Sequence, residues 1–152
     1  MKHNYEIVES KGSHVAMLER LMRENDRIEV TCMGMAPRKA LWSSFRTSIM
    51  RKTAFVDGDI ACMWGLGGSL LSGIGNPWLL TGHAVERLPV TFIRHIRHET
   101  DGMLGIFPKL HGYVIDSYGQ ALRMLKLAGF DLSEPFEFGP ERALFRKYTK
   151  ER

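Results

Sequence analysis

Four side chains in this sequence suit proton chemistry: Glu29, His83, Asp116 and Tyr118. His83 directly follows the apolar run Trp78-Leu79-Leu80-Thr81-Gly82, and an imidazole with an unperturbed pKa of about 6.5 exchanges its proton near neutrality. Glu29 and Asp116 are candidate bases, and Tyr118 is a candidate acid. A capping or surface histidine is the competing reading of His83. Other chemistries lack their motifs, since no Gly-x-Ser-x-Gly elbow and no Walker phosphate loop occurs. Cys32 and Cys62 sit in Thr-Cys-Met and Ala-Cys-Met contexts without a Cys-x-x-Cys or Cys/His grouping, so both read as packed, reduced thiols. His95 and His98 have only Glu99 beside them as a carboxylate, and no metal site is expected.

These residues must be positioned by one domain. At 152 residues, 44% hydrophobic and 25% charged, the chain fits a single globular unit over 1–152 with a core of its own. The net charge of +4 gathers partly in Arg94-His95-Ile96-Arg97-His98 and in the tail from Arg146 to Arg152. Such patches meet phosphates, but a solvated face and a frayed tail account for them equally, and no nucleic-acid partner is expected. The weakly charged stretch from Ile60 to Arg87 is too broken by glycine and serine for a membrane helix. The opening Met-Lys-His-Asn-Tyr-Glu has no apolar core of a signal peptide, which makes a cytoplasmic protein the expectation.

Periodicity supplies the elements. Tyr5–Glu9 reads as a first strand, and Val15, Leu18, Leu21 and Met22 repeat at helical spacing after the break at Gly12-Ser13. Asn25-Asp26 is expected to end that helix, leaving Arg27–Val30 of ambiguous state. Pro37 opens a helix to Ser48. Lys52–Val56, the turn Asp57-Gly58-Asp59 and Ile60–Leu66 form a hairpin, and Gly65 to Gly75 are expected to be a flexible loop. Trp78–Thr81 reads as a buried central strand. A helix over His83–Glu99 starts or kinks at Pro89 and stops at Asp101-Gly102. Leu110–Ile115 forms another strand. The helix from Tyr118 turns Ala121, Leu122, Leu125 and Ala128 inward and closes at Gly129. Phe136–Phe138 and Ala143–Phe145 make a final hairpin about the turn Gly139-Pro140-Glu141-Arg142.

The element order, with Ala121 and the closing Gly129-Phe130 of the last helix, resembles the GNAT acetyltransferase superfamily. The resemblance implies an α/β fold, a mixed central sheet flanked by helices. It also implies an acyltransferase that uses acetyl-CoA and an amine acceptor. The family's pyrophosphate loop aligns with Thr81-Gly82-His83-Ala84-Val85-Glu86-Arg87, so the implied cofactor-binding residues are Leu79, Leu80, Thr81, Gly82, His83, Ala84 and Arg87, with His83, Glu29 and Tyr118 as the implied catalytic set. The loop keeps one glycine. Tyr118 stands where the family has an asparagine, and Leu125 where it often has the tyrosine that protonates the departing thiolate. Within the superfamily the segment Phe55–Gly65, the run Gly75–Thr81 and the ending Leu-Lys-Leu-Ala-Gly-Phe look most like tailed-phage proteins related to the podovirus internal virion protein A. That likeness implies a phage protein in the host cytoplasm or the virion. Its alternative function is non-catalytic, in virion assembly or on a host partner. A V-shaped gap between the strands at Trp78 and Leu110 would favour cofactor binding, and a gap plugged by Trp78, Phe92 or Tyr118 would favour the assembly role.

Overall fold

The computed structural model describes residues 2–152. Eight strands form one mixed sheet: β1 (Tyr5–Glu9), β2 (Met50–Val56), β3 (Asp59–Ser69), β4 (Ile74–Thr81), β5 (Lys109–Ile115), β6 (Asp131–Leu132), β7 (Phe136–Phe138) and β8 (Ala143–Glu151). Their order is β1-β2-β3-β4-β5-β8-β6, with β7 also on β8. All neighbours are antiparallel except β4 and β5, which are parallel. The helices are α1 (Gly12–Leu21), α2 (Glu24–Cys32), α3 (Pro37–Thr47), α4 (Pro89–Met103) and α5 (Gly119–Leu127), with a 3-10 turn at His83–Arg87. None among the described residues is long and apolar enough to cross a membrane.

Two apolar layers hold the sheet, one on each face. Val15 and Leu18 of α1 and Ala40 and Leu41 of α3 pack on Ile60, Met63 and Leu80. On the other face Ile96 and Met103 of α4 and Leu125 and Ala128 of α5 pack on Trp64, Leu66, Leu110 and Val114. Each of the larger of these side chains contributes roughly 1.5–3 kcal/mol by leaving water. α5 ends as its sequence predicts: Gly129 takes φ 96°, and the Phe130 N–H donates to the Leu125 carbonyl at 2.9 Å.

Four local expectations are corrected. Asn25-Asp26 lies inside the first turn of α2, and the break falls at Met22–Arg23, both extended. Main chain from the far end of β4 pulls the strand-like residues out of the helix: Met22 bridges to Gly82, and the Arg23 N–H donates to the Thr81 carbonyl at 2.8 Å. Arg27–Val30 is thereby helical. The glycines from 65 to 75 are mostly strand, not loop, because β3 pairs with β4 as far as Ser69–Ile74; at Gly65, Gly68 and Gly75 neighbours fill the space of a Cβ, and one at Gly65 would sit 2.7 Å from the Trp78 Nε1. The helix after β4 starts at Pro89, where the missing N–H costs nothing, but it runs through Asp101-Gly102 to Met103. The basic tail is not frayed, since β8 continues to Glu151 as an inner strand between β5 and β6.

The feature that positions the site is a failure of pairing. β4 and β5 are joined only at Ile74–Lys109 and Gly75–Leu110, and beyond these two pairs the strands diverge. Gly75 is at the closed end, where an added Cβ would sit 2.6 Å from the Phe107 ring. Gly75→Ala is therefore expected to lose ~1–3 kcal/mol of stability through overpacking. Gly102→Ala, whose Cβ would meet nothing within 4 Å, is expected to be neutral or to gain up to ~1 kcal/mol of helix propensity. Urea midpoints of the two variants against the parent check both.

Candidate functional site

Where β4 and β5 part, each turns a main-chain donor to α2. Asp26 Oδ2 accepts the Thr81 N–H at 2.9 Å and also the Thr81 hydroxyl, while Glu29 Oε2 accepts the Ile115 N–H at 3.0 Å. Residues at i and i+3 share a helix face, so one face of α2 bridges the two strand ends. Arg23, just before α2, donates from Nε to the Thr81 hydroxyl oxygen at 2.7 Å and from Nη1 to Gln120 and Glu86 at 3.3 and 3.4 Å. Its guanidinium lies 5.8 Å from the centre of the Tyr118 ring. Two carboxyls, a phenol, a hydroxyl and one cation thus meet at the top of the gap.

Burial dominates their ionisation. It pushes the half-buried Glu29 carboxyl up to about 8, partly opposed by the Ile115 N–H and reinforced by Asp26. Asp26 is also raised by burial, with the bonds from Thr81 and the Arg23 charge working against the shift. Tyr118 is pushed up to about 12 by burial and then by the Asp26 charge, so the phenol keeps its proton. A carboxyl titrating near neutrality beside a protonated phenol is a pairing fit for proton transfer.

A cavity of about 840 Å³ opens from this centre to both faces of the sheet. On one face its walls include Val30, Met33, Ser44, Trp78 and Tyr113. On the other they include Trp64, Phe92, Ile96, Met103, Leu125 and Phe130. One cavity lined from both faces can only pass through the sheet, and the β4–β5 gap is the opening. Trp78, Phe92 and Tyr118 line it and do not fill it. Its floor is closed by the Tyr148 hydroxyl donating to the Pro77 carbonyl and by Asn76 Nδ2 donating to the His111 carbonyl, both at 3.1 Å.

The ladders decide which main-chain groups face the opening. On β4 the Gly82 N–H donates to Ala61 of β3, which turns the N–H and C=O of Leu79 and Thr81 the other way. Thr81 is taken by Asp26, so Leu79 offers an N–H and a C=O to the gap. The same parity on β5, set by the Asp116 N–H on Leu144 of β8, leaves the main chain of Tyr113 facing it. Trp64, 4% exposed, adds an indole N–H buried without a partner.

Of the residues expected from sequence, Glu29, Leu79, Leu80, Thr81 and Tyr118 line the cavity. Gly82, His83, Ala84 and Arg87 do not. The Gly82 N–H is spent on the Ala61 carbonyl at 2.7 Å, and Ala84 is packed in the core. Arg87 is held by Asp59 at 2.8 Å and by the Val56 carbonyl at 3.2 Å. The His83 side chain is 72% exposed, 3.7 Å from Glu86. Asp116 is paired with Arg146 at 2.6 Å. Asp26, Arg23 and Tyr148 were missed. The spacing of Asp26 and Glu29 signals a shared face only once residues 24–32 are known to be helical.

No protein-family model matches the sequence, and no curated protein matches it. Solved structures do. A protein of Acinetobacter baylyi assigned as an acetyltransferase superposes with a TM-score of 0.71 at 12% identity, over 100% of this chain and 95% of the other. An acetyltransferase of the GNAT family from Streptococcus pneumoniae gives 0.63 at 13% identity, over 97% and 99%. An aminoglycoside acetyltransferase solved in complex with coenzyme A gives 0.65 at 14% identity, over 98% and 95%. At such identities the likeness is one of architecture: this chain has the GNAT acetyltransferase fold.

Proposed function

We propose that the protein is an N-acyltransferase that takes its acyl group from coenzyme A and delivers it to an amine. The observation that carries this reading is the through-sheet cavity between diverging parallel strands, which lets a donor enter from the α4–α5 face and an acceptor from the α2–α3 face. The residues present fit a pantetheine arm. Its amides need strand-like partners, and Leu79 and Tyr113 turn unpaired main-chain groups into the gap. The orphaned Trp64 indole gains an acceptor when a carbonyl lies in the cavity.

Coenzyme A, when bound, supplies an acyl group activated as a thioester. The chain's own groups do the rest. Glu29 keeps Oε2 on Ile115 and uses Oε1 to take the proton from the acceptor amine. Tyr118 holds a proton that it can return to the departing sulfur. Arg123 at the cavity wall and the first turn of α4, which has no side-chain cap and whose Pro89 also lines the cavity, would hold the donor's phosphates. The start of α4 is proposed for this role in place of the family's anion loop at 81–87, because the Gly82 N–H is spent on Ala61 and Gly82, His83, Ala84 and Arg87 lie off the cavity wall.

A second reading, a non-catalytic phage-type protein acting in assembly or on a host partner, is favoured by Leu125, 6% exposed in the core with no hydroxyl to offer. The Phe55–Gly65 segment that suggests it has a plain structural role. It is the β2–β3 hairpin, turned at Asp57 and Gly58 with φ of 51° and 83°. Calorimetric titration with acetyl-CoA separates the readings: heat of binding supports the transferase, and its absence at millimolar ligand supports the assembly protein.

Two further outcomes are expected. Leu79→Pro removes the N–H that faces the gap while sparing the β3 ladder, as Pro77 already does two residues earlier, and it should weaken coenzyme A binding about three- to tenfold. Glu29→Gln should lower kcat by roughly 10²-fold or more. In the parent, kcat/KM should rise with pH up to about 8, as Glu29 ionises, and this limb should vanish in the variant. The stability sign is opposite. Because the folded pKa is raised, the folded state holds a proton that the unfolded chain has lost above about 4.3, so this group's contribution falls between there and about 8. Urea unfolding of Glu29→Gln should therefore show a stability gain over the parent that grows from pH 5 to pH 8.

A further inference from the structure

We infer that the site takes aliphatic acyl groups longer than acetyl, in a lobe of the cavity that continues past Leu79 into the layer between the sheet and helices α4 and α5. This rests on the acyltransferase reading above. The lobe is walled by Trp64, Ile96, Met103, Leu125 and Phe130, each 8% exposed or less. Side chains this deep are normally close-packed, with few voids larger than a water, and an empty apolar space among them is destabilising. The same cavity is lined by Leu79 and Tyr113 of the β4–β5 gap, where the donor arm is proposed to lie.

Its chemistry is set by what the walls leave unpaired. Down β4 from Leu79, the strand has no more free main chain to offer: Pro77 lacks an N–H, and its carbonyl holds the Tyr148 hydroxyl. Across the gap the His111 carbonyl holds Asn76. The polar side chains that reach the lobe are engaged as well. The Thr100 hydroxyl donates to the Ile96 carbonyl at 2.9 Å and accepts from Lys150 at 3.1 Å, and Glu99 is held by Lys52 at 3.2 Å. The Trp64 indole is the remaining free donor, and one carbonyl of the arm or thioester satisfies it. Beyond that carbonyl only carbon surface is left, which suits an alkyl chain. The transfer itself is unaltered: the amine nitrogen forms the C–N bond, the C–S bond breaks, the amine proton goes to Glu29, and the sulfur leaves as the protonated thiol.

Calorimetric titration of the full chain with coenzyme A and with its acetyl, butyryl, hexanoyl and octanoyl thioesters tests this. Each methylene that enters the lobe is worth roughly fourfold in affinity, so hexanoyl-CoA should bind at least about tenfold more tightly than acetyl-CoA. Met103→Trp, which fills the far end, should bring the hexanoyl-to-acetyl ratio toward one. Ile96→Phe, narrowing the lobe midway, provides the same test if the first variant fails to fold by circular dichroism. An affinity that stays flat or falls with chain length, while acetyl-CoA binds, overturns this inference and leaves the acyltransferase reading standing. If neither coenzyme A nor any thioester binds, both fall together.

Discussion

Everything in the site follows from two main-chain N–H groups that do not bond to a neighbouring strand. Thr81 and Ile115 lie at the ends of strands that begin as parallel partners, and each gives its N–H to a carboxylate of α2. A buried N–H left unpaired costs free energy comparable to a lost hydrogen bond, so diverging strands survive only if something else accepts. Asp26 and Glu29 do so from one helix face, and the cavity between the strands is the space they keep open.

That arrangement joins structure to chemistry. A carboxyl set behind a strand end to receive an N–H is partly desolvated, and desolvation raises its pKa. Glu29 reaches about 8 for this reason, which destabilises the fold when it ionises and makes it a base suited to neutral solution. The same burial holds the proton on Tyr118. Arg23 tempers the centre, bracing Thr81, Glu86 and Gln120, so α2, β4 and α5 meet around one cation. The closed end depends on size instead of charge: Gly75 under Phe107, where the strands still touch, and Gly112 under Tyr148, just beyond, let the core reach the backbone.

Much of the architecture was legible in the sequence because its signals are local. The Asp-Gly turn of the β2–β3 hairpin, the inward stripe of α5 and Gly129 each act within a few residues. The failures are equally physical. Residues 22–26 misled because a long-range bridge from β4, not the local sequence, decides where α1 ends. The glycines from 65 to 75 look like a loop in one dimension, whereas Gly65 makes room for Trp78, Gly68 for the β4 backbone and Gly75 for Phe107. Of the residues expected from sequence, Glu29 and Tyr118, picked as titratable groups, and Leu79, Leu80 and Thr81, picked from the family likeness, lie on the cavity wall. The anion loop expected at 81–87 puts only Thr81, Val85 and Glu86 on the cavity wall, since partners remote in sequence, Ala61 and Asp59, hold Gly82 and Arg87.

Acyl transfer at this site requires that main chain in the β4–β5 gap stand free for a pantetheine arm. Residue-resolved amide hydrogen exchange, without and with coenzyme A, measures this directly. The Leu79 and Tyr113 amides should exchange quickly in the free protein and slow markedly on addition of coenzyme A, while Thr81 and Ile115, held by α2, should be protected in both states. Protection of Leu79 and Tyr113 in the free protein, or exchange that coenzyme A leaves unchanged, would contradict it.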